Sequence, residues 1–243
     1  SEINSWRHSL MAMSNVVHYS NLLDHGVVLE YQLPLTSKRL DFMFTGRDTS
    51  STPNAVIIEL KQWEQVNDSE IQDCVSTFVG RNTRDVLHPS VQVGQYHQFL
   101  IDFHTVFSSN VVSLSSCSYL HNAIYNPQDI LFAQKYQHAI EKYPLFTGDQ
   151  TDLLSEFLKQ RLSMGDGQAV LSSVLQSNYR PSKNLLEHVA SMVAGQSNFI
   201  LLDEQLVVLN SVLSLVKKEF SATNKVVILI KGGPGTGKSV IAL

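Results

Sequence analysis

One short stretch constrains this chain more than any other. Residues 55–61, AVIIELK, set four apolar side chains in a row and end on a carboxylate and an ammonium two positions apart. A run with no polar alternation, as at Val56, Ile57 and Ile58, is the pattern of a strand buried on both faces, in the middle of a covered sheet. The chain has 243 residues, 43% of them hydrophobic, enough for one large domain or for one domain and part of another.

The flanking segments fit such a layer. Trp6, Leu10, Met13 and Val17 recur at helical spacing over residues 3–20. Residues 27–34 and 38–44 read as two strands, stopped by Pro34 and closed by Gly46. Residues 64–90 are polar and aperiodic, a loop ending at Pro89 with Ser90 as the cap of the next helix. That helix, about 91–104, carries Val93, Tyr96, Leu100 and Phe103 on one stripe, and 110–120 reads as a further strand. Helix, three strands, helix, strand is the order of an α/β layer with a mixed sheet flanked by helices. From about residue 128 the pattern is helical, and no strand is expected again until 225–230. The expected organisation is a first domain over 1–127, a helical linker over 128–198 and a third segment over 199–243.

Side chains two apart on a strand share a face, so Glu59 and Lys61 point together, away from Val56, Ile58 and Leu60. Asp41 on the preceding strand shares a face with Met43, and pairing of the two strands sets it beside Glu59. Two carboxylates about 5 Å apart repel by roughly 3 kcal/mol at an effective dielectric near 20, enough to raise one pKa unless a cation intervenes. Carboxylate oxygens, a backbone carbonyl and waters suit Mg²⁺, and the chemistry that follows is phosphodiester hydrolysis. A solvated pair at a strand end is the competing account, since surface charges usually do no more.

The series Asp41 in RLDFMF, Glu59 and Lys61 in IIELKQW, and Gln92 and Tyr96 in QVGQY resembles the D, E-x-K, Q-x-x-x-Y motifs of the PD-(D/E)XK nuclease superfamily, especially its RecB-like branch. The resemblance implies a restriction-endonuclease-like fold. It also implies Asp41 and Glu59 as ligands of Mg²⁺ or Mn²⁺, the Leu60 carbonyl as a third ligand, Lys61 as the catalytic lysine, and Gln92 and Tyr96 as the helix motif. Gln92 and Tyr96, four apart, share a helix face. An acidic residue from the first helix often completes such sites. The opening helix offers only Glu2, at its start, so Glu30 on the first strand is the candidate.

Near the end of the sequence, GGPGTGKS places Gly232, Gly237, Lys238 and Ser239 in the G-x-x-x-x-G-K-S spacing, directly after the apolar run 225–230. In such a loop Gly232, Gly233, Gly235, Thr236 and Gly237 let backbone amides wrap phosphate oxygens, Lys238 reaches the terminal phosphates, and Ser239 ligates Mg²⁺. Upstream, Gln205 in LLDEQ resembles the adenine-reading glutamine of superfamily 1 helicases. The whole chain resembles the front of bacterial nuclease-helicase fusions with a schlafen-group-3-like helicase domain. The resemblance implies the first strand and P-loop of a RecA-like domain here and ATP as a ligand of the full-length protein. The sequence stops four residues after Ser239, so ATP hydrolysis is not expected of this chain.

The net charge of −4 gives no general attraction to nucleic acid, so phosphate contacts are expected from local groups such as Lys38 and Arg39, or Arg81 and Arg84. His88 and His97 are candidates to approach the site. None of the nine histidines has zinc-site spacing, and Cys74 and Cys117 are too far apart for a metal knuckle. No run of 18 apolar residues and no apolar leader are present, so a cytoplasmic protein that avoids membranes is expected. Together these readings expect a Mg²⁺-dependent nuclease whose partner is DNA or RNA. The alternatives are an inactive nucleic-acid-binding or assembly module, and a part of an ATP-driven translocase.

Overall fold

The computed structural model describes residues 2–34, 36, 38–80, 82–179, 201–219, 227–233, 236–238 and 241. Its centre is a five-stranded mixed sheet in the order β1 (Gly26–Gln32), β2 (Arg39–Arg47), β3 (Pro53–Lys61), β7 (Ser113–Leu120), β8 (Leu145–Thr147). The β1, β2 and β3 strands run antiparallel, while β7 and β8 are parallel to β3. Six successive residues of β3, Asn54 to Glu59, are buried, as the unbroken apolar run requires of a central strand.

Helices cover both faces. On one face α1 (Glu2–Tyr19) and α5 (Thr151–Leu162) bring Met13, Val16, Leu154, Leu158 and Leu162 onto Phe42, Phe44, Val56 and Ile58. On the other, α2 (Pro89–Phe103) and α6 (Gly167–Leu175) bring Val93, Tyr96, Leu100, Val170 and Val174 onto Met43, Ala55 and Ile57. Leucines and valines three or four apart give each helix the stripe that this burial needs. The α5 and α6 helices lie in the stretch expected as a linker, yet they pack on the same sheet as α1 and α2. Between α2 and β7 lies only a one-turn helix, α3 (Thr105–Ser108).

Three expectations change. Residues 64–90 hold a three-stranded antiparallel sheet, β4 (Val66–Asp68), β5 (Cys74–Val79) and β6 (Asn82–Leu87), closed by a turn in which Gly80 takes φ 61°. The β6 strand is too polar to betray itself by alternation, because it exposes Asn82, Thr83, Arg84 and Asp85 in succession. Residues 129–143, read as helical, are instead two 3₁₀ turns and a short α4 (Gln137–Lys142), and β8 follows where no strand is expected. Residues 227–230, expected as a strand, pair with no sheet among the described residues, and Val227 and Leu229 are exposed; 225 and 226 lie outside the described residues. Among the described residues, the next helix after α6 is α7 (Glu204–Glu219).

The start of α2 also differs in detail. His88 caps it, its Nδ1 accepting from the Ser90 N–H at 3.2 Å with Pro89 in the first turn, where no N–H is missed. Its Nε2 donates to the Leu131 carbonyl at 3.0 Å and its ring stacks on Tyr136. Burial first pushes this imidazole down to about 4, which keeps it neutral. His88 is thus a structural cap, and His97 bonds to Ser116 of β7 at 2.7 Å with its ring 5.2 Å from that of Tyr143.

Candidate active site

The register of β2 on β3 pairs Phe42 with Ile58, and one further step sets Asp41 against Glu59. Both side chains lie on the sheet face that Met43 and Ile57 occupy, beneath α2. Glu59 is 4% exposed. The Lys61 ammonium donates to Glu59 Oε1 at 2.7 Å, and the Asp41 carboxylate accepts the Leu60 N–H at 2.8 Å. Asp41, Glu59 and Lys61 therefore form one cluster where the central strands end.

The electrostatics of the cluster follow from counting charges. Burial drives the Asp41 carboxyl up, and Lys61 and the Leu60 amide only partly offset it. Burial, then the Asp41 charge, pushes Glu59 up to about 8, against the pull of Lys61. Burial works to lower Lys61, but Glu59 and Asp41 outweigh it and keep the ammonium above its usual value. One cation thus faces two carboxyls in a low-dielectric pocket, and it neutralises one of them. The second keeps a proton near neutral pH, so the pair titrates as a unit.

A buried carboxyl that must hold a proton for want of a second positive charge is a good donor for a divalent cation. Asp41, Glu59 and the Leu60 carbonyl offer hard oxygens to an ion such as Mg²⁺, which keeps several waters and accepts a phosphate oxygen. Among the described residues, no three His, Cys, Asp or Glu side chains make a ready cage. Glu30, opposite Asp41 in the β1–β2 register, takes φ 51° and accepts from the Trp6 indole at 2.8 Å. It fastens α1 to β1, and its charge is still felt by Asp41.

The Gln92 and Tyr96 pair meets as helical spacing requires, with Gln92 Nε2 donating to the Tyr96 hydroxyl at 3.1 Å. Tyr96 in turn donates to Asp203 Oδ1 at 2.9 Å and Oδ2 at 2.8 Å. Burial, then the charges of Glu59 and Asp203, keep this phenol protonated far above its ordinary value. Asp203 sits just before α7 with φ 46° and forms an ion pair with Lys38 at 3.0 Å. Sequence reasoning missed Asp203, since 107 residues separate it from Tyr96. Its only signal was an acidic DE pair between an apolar run and a helix.

Two openings flank Lys61. A cavity of about 220 Å³ is lined by Lys61, Trp63, Asp85, Gln92, Asp203, Glu204 and neighbouring apolar residues. A groove of about 580 Å³ runs the other way, past Ser9, Gln62, Trp63, Gln65 and Thr77 to Phe78 and Gly80. The Lys61 ammonium lies 5.3 Å from the Trp63 ring centroid, and Phe78 is 69% exposed in the hairpin. Arg84 on β6 is exposed beside the turn, whereas Arg81 lies outside the described residues. An exposed phenylalanine in a polar segment was the sequence signal for this groove.

The glycine-rich loop is described only in part. Thr236 Oγ1 donates to the Gly233 carbonyl at 2.9 Å, Lys238 folds back on Gly233 and Thr236, and Gly237 takes φ 80°. A side chain at Gly232 would meet Thr236 Oγ1. Gln205 Nε2 donates to the Thr236 carbonyl at 3.3 Å, so glutamine and loop are in contact. Gly235 and Ser239 lie outside the described residues.

No protein-family model, curated protein or solved structure matches the chain. Among the described residues no helix is long and apolar enough to cross a membrane.

Proposed function

We propose that the Asp41–Glu59–Lys61 cluster is the centre of a metal-dependent nuclease with a restriction-endonuclease-like fold. The observation that carries this reading is a buried Glu59 and a half-buried Asp41 facing a single lysine, with a cavity and a groove that both reach that lysine. A merely structural ion pair has one carboxylate per cation and no reason to bury a surplus one. Bound at Asp41, Glu59 and the Leu60 carbonyl, Mg²⁺ or Mn²⁺ supplies Lewis acidity and a more acidic water.

The chain's own residues do the rest. Lys61, kept protonated by its two carboxyl neighbours, stabilises the negative charge that develops on the phosphoryl oxygens. Gln92 and Tyr96 present donors on one helix face to the same region. The groove along Trp63 and Phe78 gives bases of a single strand faces to stack on as the backbone passes Lys61. We assign the substrate as DNA or RNA on that chemistry. The Gln205–Thr236 contact supports a nucleotide-binding role for the glycine-rich loop in a RecA-like unit that uses ATP.

The test is cleavage of end-labelled single- and double-stranded DNA and RNA with Mg²⁺ or Mn²⁺, comparing the chain with Lys61→Ala and a chelator control. Metal-dependent cutting that disappears in the variant supports the reading. Binding without cutting moves the assignment to an inactive nucleic-acid-binding module.

A further inference from the structure

The carboxylate of Asp203 is held at the mouth of the site by two groups that do not belong to its own helix. Lys38, from the turn before β2, pairs with it at 3.0 Å and also with Glu204, while Tyr96 donates to both of its oxygens. Gln95 Oε1 accepts the Asp203 N–H at 3.1 Å, and Leu202 is buried with Tyr96 and Val93 in the core cluster. Asp203 is 14% exposed at its side chain, and with Glu204 it lines the same cavity as Lys61 and Gln92. Further along α7, Asn210 Nδ2 donates to the Gln72 carbonyl at 2.9 Å, so the helix is docked by more than its first turn.

Burial lowers Lys38, but Glu204 and Asp203 outweigh it and hold the ammonium above its usual value. A cation and a phenol that together grip both oxygens of one carboxylate present the donors that two non-bridging oxygens of a phosphodiester require. We infer that Lys38 and Tyr96 form a subsite for a backbone phosphate of the nucleic-acid substrate, and that Asp203 occupies it as an internal competitor. The inference rests on the nuclease reading for the identity of its ligand. Substrate and the Asp203 turn cannot hold Lys38 and Tyr96 at once, so the chain as it stands binds below its intrinsic affinity. The same turn is joined to the glycine-rich loop, because Gln205 donates to Thr236 and its Oε1 accepts the Leu202 N–H at 3.2 Å. A change at that loop therefore has a four-residue path to the subsite.

The test is binding of a fluorescein-labelled 12-nucleotide single strand, by anisotropy in Ca²⁺. The wild-type chain is compared with the double variant Asp203→Asn, Glu204→Gln. Removal of the competitor is expected to tighten binding by about tenfold, as for a subsite that is open about one-tenth of the time. Adding Lys38→Ala to the double variant should return the affinity to the wild-type value or below. Glu204→Gln alone, at an exposed position that does not threaten folding, should give a smaller gain. Unchanged or weaker binding by the folded double variant overturns the inference, as does a gain that survives Lys38→Ala. Cleavage is scored separately. A binding gain in a chain that never cuts sinks the nuclease reading and leaves the subsite, whereas cutting without the gain does the reverse.

Discussion

Replacing Lys61 with methionine keeps the apolar stem and removes the one cation that faces the buried Glu59 and the half-buried Asp41. In the native cluster one proton and one ammonium balance the pair. Without the ammonium, the carboxylate that had been ionised must take up a proton or remain charged in a pocket where Glu59 is 4% exposed. Proton uptake sets the ceiling on the penalty. At about 1.4 kcal/mol per pH unit, protonating an aspartate of ordinary pKa 3.8 costs roughly 4 kcal/mol at pH 7 and under about 2 kcal/mol at pH 5. Lys61→Met should therefore lose about 2–4 kcal/mol in urea unfolding at pH 7 in EDTA, and no more than about half of that at pH 5. A loss that does not change between pH 5 and pH 8, or no loss at all, would refute the charge count on which the site is built.

Glu59→Gln should act in the opposite sense on stability. It removes the carboxyl that Lys61 contacts, leaves the ammonium to offset the charge of Asp41 alone, and is expected to hold or raise stability above pH 8 while cutting metal-dependent cleavage by at least about a hundredfold. The native chain in EDTA should be most stable at the acid end of the window set by Glu59, whose carboxyl is raised in the fold from 4.5 to about 8. The folded state then binds the extra proton, so this contribution is complete below about pH 4.5 and is lost as pH rises through 8; urea melts across that range check it. Phe78→Ala should weaken single-strand binding by about 1–3 kcal/mol in anisotropy titrations with no change in the melting curve, as removal of one exposed stacking face requires. Leu158→Ala, on the sheet face opposite the cluster, should cost about 2–5 kcal/mol in one cooperative transition, because α5 shares the core of β2 and β3. Two separate transitions would mean that the helices after residue 128 fold apart from the sheet.

The parts legible in the sequence are those governed by local pattern. The apolar run of β3 announces a central strand, helical spacing reveals α1 and α2, and the two-residue period of strands puts Asp41, Glu59 and Lys61 on one face. Gln92 and Tyr96 meet because residues four apart on a helix must. The rest depends on partners distant in sequence. The β6 strand is polar, and its pairing with β5 comes from the Gly80 turn rather than from alternation. With three residues β8 is too short to carry a period, and it exists because Ser118 to Leu120 offer it a parallel partner. Tyr96 and Asp203 come together through contacts distant in sequence, the packing of Leu202 beside α2 and the Gln95 and Lys38 contacts of Asp203, which no spacing rule encodes.

The most direct measurement is calorimetric titration of the metal-free chain with Mn²⁺ at pH 7 in two buffers of different ionisation heat. The account predicts one site at the carboxyl pair, release of close to one proton as the cation replaces the one that Asp41 and Glu59 share, and loss of both signals in Glu59→Gln. Binding of equal strength in Glu59→Gln, or no binding by the folded native chain, would contradict it.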